Sequence, residues 1–212
     1  MRWLGQMKGK SVGEMRRVAG IALLAVALCG CGGSPRLKPL TPESVVLAFG
    51  DSLTSGVGAE DEESYPAVLA TLLGCVVVNA GVAGEVTDEG FDRLPALLRR
   101  YKPSLVVLCH GGNDMLQRRG DADLVRNLRG MIENAQAAGA DVILLGVPRP
   151  GLFLKSPPFY AELATEYRVP YDGKILPRIL STPFRKSDTI HPNAAGYRQL
   201  AERVAALIRT GS

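Results

Sequence analysis

The 212-residue sequence predicts an α/β protein, a three-layer α/β/α sandwich built on a five-stranded parallel sheet. Two observations support this prediction. Short apolar runs alternate with longer stretches of helical period, and the apolar runs are hydrophobic throughout rather than alternately polar. Strands that are apolar on both faces are typical of parallel sheets covered by helices on both sides. A composition of 46% hydrophobic and 22% charged residues fits one globular domain with a single core.

The predicted elements follow one another in a regular alternation. The strands are Val45–Phe49, Cys75–Asn79, Leu105–Cys109, Val142–Val147 and, more weakly marked, Arg168–Tyr171. The helices are Tyr65–Leu73, Thr87–Arg100, Asp121–Ala138, Phe159–Tyr167 and Asn193–Arg209. Asp121 is a candidate N-cap of its helix and Gly139 a candidate helix end. In such sheets functional groups gather beyond the carboxyl ends of the strands, so a site is expected in the loops that follow them.

The first 30 residues have the organisation of a secretory signal. A basic stretch ends at Arg17, and the apolar run 18–28 that follows is too short to span a bilayer, which needs about twenty residues. The end of this run, Leu28-Cys29-Gly30-Cys31, resembles the lipobox of bacterial lipoproteins, in which a cysteine after a small residue is acylated. The resemblance implies a lipoprotein signal peptide over 1–30, a lipidated Cys31 and attachment to a membrane of the bacterial cell envelope. The alternative is a buried N-terminal helix with two incidental thiols.

The rest of the chain divides into a tether and a domain. Residues 31–43 predict a flexible tether, because proline and glycine recur there without a period, and the folded domain is expected over 44–212. The formal net charge of +4 belongs to the N-terminus: five basic residues and one acidic residue precede Cys31, which leaves 20 basic and 20 acidic residues after it. A neutral domain lacks the basic surface that phosphate backbones require, so a nucleic-acid partner is not expected.

Residue types also argue against a metal or a nucleotide cofactor. Cys75 and Cys109 lie in apolar runs and are expected to be core residues. The chain contains two histidines, so the sequence shows no cluster with zinc-ligand spacing. The glycine-rich phosphate-binding fingerprints are missing after the first strand. No cofactor is therefore expected.

Four loops contain residues that suit acyl transfer. Gly50-Asp51-Ser52-Leu53 follows the first strand, a glycine-rich loop over 79–87 follows the second, and Gly111-Gly112-Asn113-Asp114 follows the third. Asp188-Thr189-Ile190-His191-Pro192 precedes the last helix, and an aspartate three residues before a histidine can orient the imidazole. A serine hydroxyl, a base, an orienting acid and an amide donor are the parts that hydrolysis by a serine requires. Taken singly, each loop is also compatible with an ordinary turn or helix cap.

Together and in this order, the four loops resemble the sequence blocks of the SGNH or GDSL family of serine esterases and lipases. The resemblance covers 45–208 and implies the flavodoxin-like SGNH hydrolase fold. It implies a catalytic triad of Ser52 as nucleophile, His191 as general base and Asp188 as its partner, and an oxyanion hole formed by the Ser52 N–H, the Gly84 N–H and the Asn113 side-chain amide. Gly81 is the competing candidate for the second donor.

The most similar subgroup comprises small bacterial arylesterases, thioesterases and lysophospholipases, which implies hydrolysis of short to medium acyl esters and a small acyl-ester or lipid substrate. Two alternatives stay open: a carbohydrate O-acetyl esterase, and a non-catalytic lipoprotein that binds an acylated ligand. The proline-rich segment 147–159 is either the wall of an acyl pocket or an ordinary connection. His110 is the competing base, but it has no acidic residue within three positions, and we expect it to be held by packing.

Overall fold

A five-stranded parallel sheet of order β2-β1-β3-β4-β5 organises residues 36–211, the part of the chain that the computed structural model describes. All neighbouring strands are parallel. The strands are β1 (Val45–Gly50), β2 (Val76–Gly81), β3 (Leu105–Cys109), β4 (Asp141–Leu145) and β5 (Tyr171–Asp172). The α/β/α prediction is confirmed, and the strand order is the flavodoxin-like one. The predictions on the signal segment, on Cys31 and on tether residues 31–35 lie outside the described residues.

Helices occupy the connections between the strands. They are α1 (Ser52–Ser55), α2 (Tyr65–Leu73), α3 (Thr87–Tyr101), α4 (Gly112–Leu116), α5 (Asp121–Ala137), α6 (Pro158–Glu166), α7 (Ile175–Leu180) and α8 (Ala194–Gly211), with 3₁₀ turns at Asp61–Glu63 and Pro183–Arg185. The five predicted helices are confirmed as α2, α3, α5, α6 and α8, with ends that differ by at most two residues. Over residues 36–211 we find no helix that combines the length and the apolar character needed to cross a membrane.

The core lies around the three interior strands β1, β3 and β4. Residues 46–49 of β1 are fully buried, and all of β3 is buried, including the predicted core residue Cys109. The second apolar run does not behave as the buried strand that was predicted, because β2 forms an edge of the sheet and leaves Val76 55% exposed. Cys75, just before β2, is half-buried and packs against the core.

The packed part of the chain begins earlier than the sequence predicts. Leu37 is buried and its N–H donates to the Gly211 carbonyl at the end of α8. The Lys38 N–H donates to Asp141 Oδ2 at 2.6 Å. Residues 37 and 38 therefore contact the folded domain, ahead of position 44, where the sequence predicts the domain to begin. Nearby, Gly139 follows α5 with φ = +85°, as predicted for a helix end, but Gly120 rather than Asp121 is the N-cap.

Candidate active site

The loops that follow β1, β2 and β3 begin at the same level of the sheet. Gly50 is paired both with Gly81 of β2 and with Cys109 of β3, so the carboxyl ends of these strands are in register. The strand order reverses direction between β1 and β3, and this is where ligands bind in open α/β sheets. Ser52 follows β1 and Asn113 follows β3, so both residues lie at this switch point, beyond the ends of neighbouring strands.

Close packing explains why β1 and β2 both end in glycine. A Cβ at Gly50 would lie 1.9 Å from the Cys109 carbonyl oxygen, and one at Gly81 would lie 2.1 Å from the Ser55 nitrogen in α1. The Gly81 N–H also donates to Asn79 Oδ1 at 3.0 Å. Gly84 differs: it is exposed, it has φ = +83°, and residues 36–211 place no atom within 4 Å of its Cβ position apart from its own chain neighbours. Gly81 is thus a packing residue with an engaged N–H, whereas Gly84 is open.

Asp51 shapes the turn that presents Ser52. Its Oδ1 accepts the Leu53 N–H at 3.1 Å and so caps α1, whose first residue is Ser52. The Asp51 carboxyl is buried, and its Oδ2 has no hydrogen-bond partner among the described residues. Burial raises the pKa of Asp51, because removal from water penalises the charged form.

Ser52, His191 and Asp188 form one continuous hydrogen-bonded chain. His191 Nε2 lies 3.1 Å from Ser52 Oγ, and His191 Nδ1 lies 2.7 Å from Asp188 Oδ2. The other oxygen, Asp188 Oδ1, accepts the Ile190 and His191 N–H groups, both at 2.8 Å, and so holds the loop that carries the imidazole. Burial acts to raise the pKa of Asp188, but the hydrogen bonds from His191 and from the two backbone N–H groups outweigh it, so the pKa is lowered. The structure brings together three residues that the sequence predicts to act together.

Asn113 reaches the same region from the start of α4. Gly111 precedes this helix with φ = +108°, a left-handed conformation that glycine adopts without strain. Asn113 lines the same cleft as Ser52 and His191, and its Nδ2 donates to the Glu85 carbonyl at 2.9 Å. Its neighbour Asp114 turns away and accepts the Thr87 N–H at 3.0 Å and the Thr87 hydroxyl at 2.6 Å. Asp114 thereby ties the start of α3 to the loop after β3.

His110 lies behind the cleft and does not contact Ser52. It is fully buried, its Nδ1 accepts the Gly111 N–H at 3.0 Å, and its Nε2 lies 3.0 Å from Glu85 Oε2. His110 is enclosed by its surroundings, as expected of a residue held by packing, and in addition a carboxylate 25 residues earlier in the chain is its partner. No short motif in the sequence indicates the pairing of His110 with Glu85.

A cleft of about 600 Å³ opens in front of Ser52. It is lined mainly by apolar residues together with the residues of the hydrogen-bonded chain: Asp51, Ser52, Leu53, Gly112, Asn113, Leu116, Val147, Pro148, Pro150, Gly151, Leu152, Leu154, Leu180, Ser181, Lys186, Thr189, Ile190 and His191. The proline-rich segment contributes six of these residues, so it forms a wall of the cleft. Among the described residues that line the cleft, Lys186 is the single lysine or arginine.

Comparison with known proteins now decides the family. The sequence model of the GDSL-like lipase/acylhydrolase family matches residues 48–199. The chain belongs to this family. Esterase TesA of Pseudomonas aeruginosa is 37% identical over 131 residues, which are 59% of this chain and 65% of that esterase. The Escherichia coli protein named thioesterase 1/protease 1/lysophospholipase L1 is 29% identical over 168 residues, 76% of this chain and 81% of its own length.

The fold agrees with that of this GDSL family. The crystal structure of TesA matches with a TM-score of 0.72 and 30% identity, over 80% of this chain and 100% of that one. These matches confirm the predicted SGNH hydrolase fold and the prediction of a carboxylic ester hydrolase of the GDSL family.

Proposed function

We propose that this GDSL hydrolase is a serine esterase acting on short to medium acyl esters, with Ser52 as nucleophile, His191 as general base and Asp188 as the orienting acid. The observation that supports it is the chain of hydrogen bonds from Ser52 Oγ through the imidazole to Asp188, at 3.1 and 2.7 Å. A serine hydroxyl is a weak nucleophile that needs an adjacent base, and the base needs a third group to hold its tautomer. The arrangement provides both.

The reaction divides into two transfers. Ser52 Oγ bonds to the acyl carbon while His191 Nε2 takes the hydroxyl proton, and the carbonyl electron pair moves onto its oxygen. Asp188 stabilises the resulting imidazolium. When the tetrahedral intermediate collapses, His191 returns that proton to the leaving alcohol or thiol, and the acyl group stays on Ser52. Water then attacks the acyl carbon, its proton passes to His191 and on to Ser52 Oγ, and the carboxylic acid is released.

The oxyanion of each intermediate is assigned to the Ser52 N–H, the Gly84 N–H and the Asn113 amide. Within residues 36–211, no hydrogen bond is donated by the Ser52 or the Gly84 N–H. The Asn113 amide donates one hydrogen bond, to the Glu85 carbonyl, which leaves its second N–H for a ligand. Gly81 is a poorer candidate than Gly84, because its N–H already donates to Asn79. Donors held in place before the reaction are the main source of stabilisation for such an oxyanion.

The lining of the cleft supports an acyl chain as the group that enters it. Leu53, Leu116, Val147, Leu152 and Ile190 give the cleft apolar side chains close to Ser52 and His191. An acetylated sugar would place hydroxyl groups against these side chains, and a polar group buried without a hydrogen bond is costly. We therefore favour acyl esters over carbohydrate acetates. A thioester or a lysophospholipid would meet the same wall and the same nucleophile.

A serine-directed probe tests the catalytic assignment. A fluorophosphonate should label the wild-type protein at Ser52, whereas an idle binding cleft would not react. Ser52→Ala should keep the circular dichroism spectrum and lower kcat by about 10⁶, as loss of a triad nucleophile does in other hydrolases. p-Nitrophenyl esters from acetate to palmitate, assayed beside acetylated sugars, then identify the acyl preference. Turnover retained by a correctly folded Ser52→Ala variant would overturn the mechanism.

We also propose that Cys31 anchors the enzyme to a membrane of the cell envelope. The succession of basic stretch, apolar run and Leu28-Cys29-Gly30-Cys31 supports this proposal. Acyl chains contribute about 0.8 kcal/mol per buried CH₂, and stable attachment takes more than one chain, as the lipoprotein resemblance implies. Cys31→Ser should move the protein out of the membrane fraction, while the matched control Cys29→Ser should leave it there. A Cys31→Ser variant that fractionates like the wild type would place the anchor elsewhere.

A further inference from the structure

A cluster of three charged or titratable side chains, two of them buried and one partly exposed, lies behind the cleft. Glu85 is 5% exposed, and its carboxylate accepts hydrogen bonds from Arg93 Nε and from a second Arg93 nitrogen, both at 2.7 Å. The third member, His110, contacts Glu85 Oε2 at 3.0 Å. The Arg93 guanidinium lies 4.4 Å from the centre of the Phe49 ring. We call Glu85, Arg93 and His110 the Glu85 cluster.

Hydrogen bonds assign the protons in the Glu85 cluster. His110 Nδ1 accepts the Gly111 N–H, so Nε2 carries the proton of the ring and donates it to Glu85. Burial acts to raise the pKa of Glu85, but the hydrogen bonds from His110 and Arg93 outweigh it and the pKa is lowered. Glu85 is thus a buried carboxylate with hydrogen-bond donors to both of its oxygens, the condition under which such a charge is tolerated.

The neighbouring helix leaves space for this cluster. Gly90 lies on α3, and a Cβ at this position would be 2.5 Å from His110 Nε2 and 3.2 Å from Glu85 Oε2. Any larger residue at Gly90 would therefore displace the imidazole or the carboxylate. The helix alone would favour alanine, because glycine weakens a helix interior by about 1 kcal/mol relative to alanine. The glycine at position 90 is therefore explained by the space that the Glu85 cluster needs.

The Glu85 cluster is connected to the proposed oxyanion hole through the main chain. Glu85 makes this connection: Arg93 and His110 hold its side chain, and its main-chain carbonyl accepts a hydrogen bond from the Asn113 amide at 2.9 Å. His110 starts the loop that carries Asn113, and its own carbonyl accepts the Tyr160 hydroxyl at 2.8 Å. Two hydrogen bonds therefore join the loop after β2 to the loop after β3: one links the Glu85 and His110 side chains, and the other links the Glu85 carbonyl to the Asn113 amide.

We propose that Glu85, held by Arg93 and His110, is a positioning residue that fixes the direction of the Asn113 amide in the oxyanion hole. This inference rests on the proposed function, because the amide must act on an oxyanion. A hydrogen bond from one N–H of the amide to a fixed carbonyl restrains its rotation, so the second N–H keeps a preferred direction. Oxyanion donors act only when they are aimed at the developing charge before the reaction, and an error of about 1 Å can cost about 10²-fold in rate. Loss of the cluster should lower kcat and leave KM nearly unchanged.

A double-mutant cycle tests this coupling in the full-length protein. Glu85→Gln keeps the size of the side chain and removes its charge, and we expect kcat for p-nitrophenyl butyrate to fall about 10- to 100-fold. Asn113→Ala should lower kcat by about 10²–10³, because one oxyanion donor is lost. In the Asn113→Ala background, Glu85→Gln should lower kcat by less than about threefold, since the amide that Glu85 positions is no longer there. Arg93→Gln, which removes the more exposed partner, should show the same coupling if Glu85→Gln does not fold.

A matched control separates positioning from stability. Asp172 is also a buried carboxylate paired with an arginine, Arg203, but it lies away from the cleft lining. Asp172→Asn should lower Tm as Glu85→Gln does and leave kcat unchanged. The inference is overturned if Asp172→Asn lowers kcat equally, if Glu85→Gln leaves kcat intact, or if its effect is the same with and without Asn113. An Asn113→Ala variant with wild-type kcat would overturn the proposed oxyanion hole as well.

Discussion

Replacement of Asp188 by asparagine tests how the imidazole of His191 is oriented. Asp188 Oδ2 accepts the Nδ1 proton at 2.7 Å, which leaves the Nε2 lone pair facing Ser52 Oγ at 3.1 Å. In Asp188→Asn the side-chain oxygen can stay on the Ile190 and His191 N–H groups, which turns the NH₂ group toward Nδ1. The ring must then accept at Nδ1 and carry its proton on Nε2. In that tautomer it cannot take the proton of Ser52.

The expected loss follows from the exposure of the carboxylate. The same change in a serine protease with a buried aspartate lowers kcat by about 10⁴. The Asp188 side chain is 50% exposed, and solvent weakens the interactions of exposed charges, so we expect a loss of about 10²–10⁴ here. The loop keeps its two backbone hydrogen bonds. We therefore expect a stability loss below about 1 kcal/mol and a fall in Tm below about 4 °C.

The pH dependence of stability has a definite sign. Burial opposes ionisation of Asp188, but its hydrogen bonds from His191 and the backbone lower the pKa in the folded state. A lowered carboxyl pKa contributes stability above the unfolded-state value, near 3.9, and that contribution is lost as pH falls through the folded-state value. The stabilisation that the Asp188 carboxylate gives the wild type over Asp188→Asn should therefore be present at neutral pH and be lost in strong acid.

Steady-state kinetics with p-nitrophenyl butyrate and circular dichroism provide the measurements. Asp123→Asn is a suitable control, because Asp123 is an exposed helix carboxylate paired with Arg126 and should leave kcat and KM unchanged. An Asp188→Asn variant that is folded and turns over substrate within threefold of the wild type would refute the assigned role of Asp188.

Two further predictions concern the histidines and the cation of the cleft. His191→Ala should abolish most of the activity, whereas His110→Ala should lower kcat far less, because the His110 imidazole does not reach Ser52 Oγ. A dead His110→Ala variant beside an active His191→Ala variant would contradict the assignment. For Lys186→Ala we compare kcat/KM for substrates with a phosphate in the leaving group, such as a lysophospholipid, with kcat/KM for neutral p-nitrophenyl esters. The ratio of the two should fall by about tenfold, because a charge-assisted hydrogen bond to the phosphate is lost. An unchanged ratio would show that Lys186 does not contact such groups.

The long elements of the fold could be predicted because each has a period or an unbroken apolar run. The short helices α1, α4 and α7 could not, since four to six residues are too few to show a helical period. The exposure of Val76 could not be predicted either. A valine-rich strand has the same composition at the edge of a sheet as at its centre, and only the strand order makes β2 an edge.

In the candidate site too, contacts between residues close in the sequence could be predicted, and contacts between distant residues could not be predicted from a short motif. Asp188 and His191 are three residues apart, so their pairing can be read from a short motif. The contact between His191 and Ser52 spans 139 residues and was expected only from the family resemblance. The Glu85–His110 pair has neither kind of signal. Its partners are 25 residues apart and are brought together by the parallel crossover from β2 through α3 to β3.

The surroundings of the two histidines explain why only one of them suits the role of base. A general base must present a free lone pair within hydrogen-bond reach of the proton that it removes. In His191 the aspartate occupies Nδ1 and leaves Nε2 directed at Ser52 Oγ, with the imidazole 14% exposed at the cleft. In His110 the only lone pair of the neutral ring accepts the Gly111 N–H, and the ring proton is donated to Glu85. His110 therefore has no lone pair to offer, and its complete burial keeps substrate away from it.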